Sequence, residues 1–214
     1  MTTTTLPTGT YGPQTISSGE TLISTGGPSE TTITSAAGTN GFVEYFTASN
    51  VQIGNLSGGG FTISDTLPGG YVLTPAGSNV TIEGNILSAD GGAGADLVTQ
   101  SGADNLLIEG NQFEGTGFAL AYVNGYTDGG VSTSVNFINN TFSGTATAGA
   151  DLADDASSGT ISGNTFTGSG QQAIFLGTAS TAAVNYLIAA YGPYWTPNSF
   201  VPGSVTVTGN NFSG

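Results

Sequence analysis

Between Val51 and Gly214 one short phrase recurs six times: VQIGNLSG, VTIEGNILSA, LIEGNQFEG, FINNTFSG, TISGNTFTG and VTVTGNNFSG. In each, an apolar strand runs into Gly-Asn or Asn-Asn, and in four copies a Phe follows two residues later with a Gly two beyond it. The anchoring asparagines are Asn55, Asn85, Asn111, Asn140, Asn164 and Asn210, at spacings of 30, 26, 29, 24 and 46 residues. That is the period of a stacked repeat. Each unit has strand-forming residues and a turn residue that tolerates left-handed backbone, but too few apolar groups to close a core alone, so neighbours must stack.

Composition excludes more than it assigns. The chain has no Lys, Arg, His or Cys against 14 Asp and Glu, a formal charge of −14. Ordinary domains carry about a quarter charged residues of mixed sign, so this bias is a property of the protein, and no side-chain salt bridge can form. Nothing here could neutralise phosphate, which excludes nucleic acid as a partner and disfavours anionic membranes; inorganic cations are the natural counter-charge. The length of 214 residues suits one domain or one elongated array. Hydrophobic content is 37%, yet periodic Val, Ile, Leu and Phe would be wasted in a solvated coil, so order is expected over disorder. The start, MTTTTLPTGTYGPQ, has neither the basic region nor the apolar core of a classical signal peptide, and no transmembrane helix or membrane insertion is expected. A chain without cysteine suits any compartment.

Residues 1–40 are Thr/Ser/Gly-rich with short β-branched bursts, TISSGETLIST and ETTITSAAG, and read as an N-terminal arm or cap, or as one or two irregular initial coils. From 41 to 214 short strands are split by Gly, Pro and Asn turns. A projecting loop is expected at about 186–202, where YLIAAY precedes Pro193, Pro197 and Pro202. Aligned on their asparagines, the units place Leu87, Phe113, Phe142, Phe166 and Phe212 in one internal ladder at about 4.8 Å per coil. Asn85, Asn111, Asn140, Asn164 and Asn210 form a second ladder of amides bonded from coil to coil.

This pattern of strand, Gly-Asn turn and short strand resembles the right-handed parallel β-helix of the pectate-lyase-like superfamily, over about residues 50–214. The resemblance implies an all-β fold, a single elongated β-solenoid, and is specific for fold rather than activity. The lyases of that superfamily use an Arg or Lys base and the epimerases a His with a Tyr, none of which can be assembled here without those cations. The galacturonan hydrolases use an adjacent Asp pair, for which ADLADDASSG offers Asp151, Asp154 and Asp155, but also a His and an Arg-x-Lys that are missing. Catalysis is therefore not expected. SSGETLISTGG resembles the glycine-turn repeats of autotransporter adhesin passengers. GGAGADLVT, from Gly91 to Thr99, resembles the calcium-binding nonapeptide of type I-secreted repeat proteins, and SGADNLLIEG is a degenerate second copy. That resemblance makes Asp90, Asp96 and Asp104 candidate Ca2+ ligands, in a chain whose donors are oxygens; the alternative is a plain glycine turn.

Asp96 and Asp151 each lie eleven residues after their anchors in AGADL contexts, with Tyr122 and Phe175 at the same offset in the intervening coils. That offset predicts one outer face alternating acidic and aromatic groups, the composition of a carbohydrate-contact surface. Three function classes follow. The first, which we favour, is a secreted or cell-surface structural protein such as a filament subunit or adhesin stalk. Second comes a carbohydrate-binding or carbohydrate-active β-helix. Ice binding, the third, requires T-x-T spacing on every coil. For the first class the expected partner is another copy, because the last repeat, VTVTGNNFSG, would leave Phe212 uncovered unless residues 1–40 of the next subunit met it head to tail.

Overall fold

The structure, a computed structural model, describes residues 1–35, 42–65, 70–89, 94–99, 103–123, 133–147, 150–154, 158–176 and 204–213. Every strand pairing in it is parallel and joins one coil to the next. Sheet one contains eight strands: Thr2–Leu6, Glu20–Ser24, Val51–Ile53, Val80–Glu83, Leu106–Glu109, Val135–Ile138, Ser158–Ser162 and Ser204–Thr208. Sheet two also has eight: Gly9–Tyr11, Thr31–Thr34, Thr62–Ser64, Ile86–Ser88, Gln112–Phe113, Thr141–Phe142, Thr165–Phe166 and Asn211–Phe212. Sheet three has six: Phe42–Phe46, Tyr71–Pro75, Ala95–Val98, Ala121–Val123, Ala150–Asp154 and Gln172–Leu176. A two-stranded ribbon, Thr116–Gly117 with Thr145–Ala146, adds a short fourth wall. Eight rungs at the usual strand spacing make a stack about 34 Å long.

Residues 1–35 do not stand apart from this stack. Thr2 to Leu6 pair residue for residue with Glu20 to Ser24, and Gly9 to Tyr11 with Thr31 to Ile33. The arm or cap expected over 1–40 is thus, over 1–35, the first coil and most of the second. The loop expected at 186–202 lies outside the described residues.

Side chains alternate across sheet one with a period of two, so each strand sends one set inward. Leu22, Ile53, Ile82, Ile108, Phe137 and Ile161 share one inward column, and Val51, Val80, Leu106 and Val135 another, all of them buried. Sheet two contributes the column Tyr11, Ile33, Ile63, Leu87, Phe113, Phe142, Phe166, Phe212. Its last four members are stacked rings, with centroids 4.5, 4.7 and 5.3 Å apart and planes within 12° of parallel.

Between sheets one and two the chain turns through one left-handed residue, Gly84 at φ 66° for example, and Asn139 at φ 55° where the repeat reads Asn-Asn. The next residue is the anchor. Asn140 Oδ1 accepts from the backbone N–H of Asn111 at 2.9 Å and from its Nδ2 at 3.1 Å, while Asn140 Nδ2 donates to Ile108 O at 2.8 Å. The same pattern joins Asn85 to Asn111, Asn140 to Asn164 and Asn164 to Asn210. Asn55 departs from it. Three glycines follow it closely, and its Oδ1 caps its own turn through the N–H groups of Ser57 and Gly59. Phe61 N–H donates to Asn85 Oδ1 in its place, at 3.0 Å. A second asparagine ladder, not anticipated, precedes sheet one: Asn105 donates to Asn79 and Asn79 to Asn50, all three at left-handed φ.

Two substitutions test these columns. Phe142→Ala empties the middle of the ring stack and should cost about 3 to 5 kcal/mol in chemical denaturation; a loss under about 1 kcal/mol would place that ring outside the core. Asn140→Ala leaves Asn111 N–H buried and unpaired and removes the amide bonds to Asn111 Nδ2 and Ile108 O, so it should cost about 2 to 3 kcal/mol, against about 1 kcal/mol for Asn105→Ala in the exposed ladder. Equal losses at the two sites would contradict the different burial of the ladders.

Candidate functional site

The acidic residues divide into three settings. Asp96 is fully buried at the corner between sheets two and three, where Oδ1 accepts from Ala89 N–H at 2.5 Å and Oδ2 from Gly115 N–H at 3.0 Å. A Cβ at Gly115 would come within 2.0 Å of Oδ1, so only glycine there leaves room for the carboxylate. Burial pushes the Asp96 carboxyl up to about 7, against the two backbone bonds that favour its charge. Asp151 is buried on sheet three, its Oδ1 accepts from Gly170 N–H at 3.2 Å, and burial raises its carboxyl as well. Asp65 accepts from Ser35 Oγ at 2.6 Å. These aspartates hold one coil to another through its backbone or a hydroxyl.

Asp104 is only half-buried and accepts from both N–H and Oγ1 of Thr133, each at 2.9 Å. It shares no hydrogen-bond partner with Asp96 among the described residues, and Asp90 lies outside them. Among the described residues no three His, Cys, Asp or Glu are grouped as a metal site would need. Of the three aspartates of ADLADD, Asp151 and Asp154 are buried in the wall and Asp155 lies outside the described residues.

Strand register also corrects the alternating outer face. Asp96 and Asp151 do share a column, with Leu120 between them, but Tyr122 pairs with Val98, Ala153 and, one coil further, Phe175 in a different column. Equal offsets from the asparagines therefore do not mean equal registers, because the turns between sheets two and three differ in length. The outward column of sheet one runs Thr3, Thr21, Gln52, Thr81, Leu107, Asn136, Thr160, Thr206, so threonine interrupted at the middle rungs replaces the T-x-T array that ice binding requires.

Two glutamates escaped the sequence reading because they occupy inward positions, where apolar residues are expected. Glu44 stands in register with Leu73 and Leu97, and its Oε1 accepts from Gln14 N–H at 2.5 Å. Glu20, in register with Thr2, accepts from Thr4 Oγ1 at 2.6 Å and Ser17 N–H at 2.8 Å. Both fasten the first coil to the second. Burial pushes Glu44 up to about 8.

The ends of the stack are the other unusual surface. At one end Phe212 is 57% exposed although its other face stacks on Phe166, and Val207 is 40% exposed on the adjoining strand. At the opposite end the inward positions of the first coil carry Thr2, Thr4 and Leu6, and Tyr11 heads the aromatic column with its hydroxyl donated to Pro7 O. All 14 acidic residues lie between Glu20 and Asp155; residues 1–19 and 156–214 contain none.

The raised carboxyls set a pH dependence. Between an ordinary value near 4 and about 7 the folded chain keeps a proton on Asp96 that the unfolded chain releases, and for Glu44 the window extends to about 8. Stability therefore falls as pH rises through that window, by up to about 4 kcal/mol for a carboxyl shifted as far as Asp96. Urea denaturation should give a lower midpoint at pH 8 than at pH 5, and Asp96→Asn should flatten the fall between pH 5 and 7. A midpoint that climbs over this range would mean that the backbone donors outweigh burial.

The comparisons with known proteins agree with this architecture. The family model described as right handed beta helix region matches residues 50–189. No curated protein and no solved structure matches the chain. The region occurs in enzymes and in non-enzymes, so it sets the fold and its hand without setting an activity. With parallel coils, asparagine corners and a stacked aromatic column beneath the matched residues, the chain belongs to the right-handed β-helix family.

Proposed function

We propose that this protein is a structural β-helix whose copies associate end to end into a rod or filament. The observation that carries this reading is the confinement of charge. A chain of net charge −14 without a single cationic side chain repels its own copies along its flanks, yet the first coil and the last two carry no acidic side chain. If an end meets an end, the nearest acidic coils on either side stand about four rungs apart, roughly 19 Å, or about two screening lengths at physiological salt. The flanks repel while the ends do not, which favours growth along the axis over lateral clumping.

The ends also have something to gain. Covering Phe212 and Val207 removes apolar surface from water, worth about 2 kcal/mol each, and the edge strand of the last coil acquires backbone partners. Against an association cost of about 4 to 15 kcal/mol the contact is weak, so assembly should depend on concentration. Contact of unlike ends is heterologous and need not close, which yields a filament. Sedimentation velocity on the intact chain should show mass increasing with concentration, and Phe212→Asp should keep the protein monomeric with an unchanged β-rich circular dichroism spectrum. A wild-type chain that stays monomeric at millimolar concentration would overturn the reading.

A further inference from the structure

We infer that the end-to-end contact continues the solenoid in register, the Thr2–Leu6 strand of the next copy adding as a ninth rung on Ser204–Thr208, and Tyr11 of the next copy stacking over Phe212. This inference rests on the end-to-end reading and adds to it a specific alignment. Column positions follow from the pairings. Gly159 pairs with Val205 and Thr160 with Thr206 at one end, and at the other Thr2 and Thr3 pair with Glu20 and Thr21, in the same columns. Val205 therefore meets Thr2 of the next copy, Thr206 meets Thr3, Val207 meets Thr4 and Thr208 meets Thr5. In sheet two the column ending in Phe212 is the one that begins at Tyr11.

Three features favour this alignment over one slipped by a residue or two. Threonine has the shape of valine, so Thr2 and Thr4 fit over Val205 and Val207 as one more rung of the same inward columns. The hydroxyl that distinguishes them would normally forbid that, because a buried unpaired donor is costly. Thr4 Oγ1 already donates to Glu20 within its own chain, so covering Thr4 strands nothing. On the outer face the junction gives Thr160, Thr206, then Thr3 and Thr21 of the next copy, a threonine column as even as any within the chain. A slip by one residue would instead set the outward Thr3 and Thr5 of the next copy against Val205 and Val207 and turn its Thr2 and Thr4 away from the core.

The chain contains no Cys, so introduced pairs report without background. Thr3 and Thr206 stand at opposite ends of one molecule, about 34 Å apart, and can bond only between copies. In register, their Cα atoms would lie about 4.8 Å apart, within disulfide range, whereas Thr3 and Thr208 would be about 8 Å apart, beyond it. The double variants Thr3→Cys/Thr206→Cys and Thr10→Cys/Asn211→Cys, oxidised at concentrations where the wild type sediments as multimers, should give a ladder of disulfide-linked multimers on a denaturing gel. Thr3→Cys/Thr208→Cys should give at least tenfold less. Multimers in solution without preferential linkage of the first two pairs would overturn the register and leave the end-to-end reading standing. Absence of multimers in the wild type would remove both.

Discussion

The corner between sheets one and two is the constraint on which the rest depends. A chain that turns inward through a left-handed residue leaves backbone N–H and C=O groups facing the interior, and no water is there to pair them. One asparagine per coil meets both needs, its oxygen accepting the N–H of the preceding coil and its nitrogen donating to a carbonyl of that coil. Apolar columns alone could not hold this geometry, since a column of Ile and Val is nearly as well packed after a slip of two residues. The amide ladder removes that freedom. Because each coil is thereby locked to the one before, the rings of Phe113, Phe142, Phe166 and Phe212 fall face to face rather than in the tilted arrangements that unconstrained aromatic pairs adopt.

The second constraint is the absence of cationic side chains. A buried carboxylate in this chain can be met only by backbone N–H groups and hydroxyls, or be protonated, and the interior uses both. Asp96 and Asp65 span coils through amide or hydroxyl donors beside glycines that leave them room, and Asp96, raised to about 7, draws on protonation as well. Glu44, in a leucine column and raised to about 8, illustrates the second. On the outside of sheet one Glu83 and Glu109 are neighbours in register, and burial first, then repulsion from Glu109, raises Glu83.

What could be read from the sequence follows from which interactions recur with the same residue. The Asn and Phe columns were legible because a buried amide and a stacked ring admit few substitutes, so the letters repeat. The ladder of Asn50, Asn79 and Asn105 was not, because it is exposed, and the left-handed site it occupies is filled equally by Ser134 one coil later. The first two coils hid because their corners use Thr31 and Gly9 where later coils use asparagine. Asn55 carried the motif without the function, since the glycines after it lengthen the turn and hand its role to Phe61 N–H. For the aspartates, spacing paired Asp96 with Asp151 without revealing their surroundings: a shared column implies nothing about solvent, and both side chains are buried.

Folding and association in such an array draw on the same interaction. The stability of a solenoid is a sum of coil-to-coil interfaces, and a second molecule docked in register adds one more interface of the same kind. The first coil is the least secure of these surfaces, since its inward positions are largely Thr and it rests on the second coil through Glu20 and Glu44. Glu44 is buried and its Oε1 accepts from Gln14 N–H of the first coil, a bond that favours the charged carboxylate where burial favours the proton. In the proposed end-to-end contact, the coil that Glu44 fastens is also the surface offered to the next copy. Conditions that loosen it remove the docking face before they unfold the centre of the rod, where the asparagine ladder and the ring stack are complete. In such an assembly the order of loss is association first and the central coils last, because the first coil rests on threonines and two glutamates where the centre rests on apolar columns.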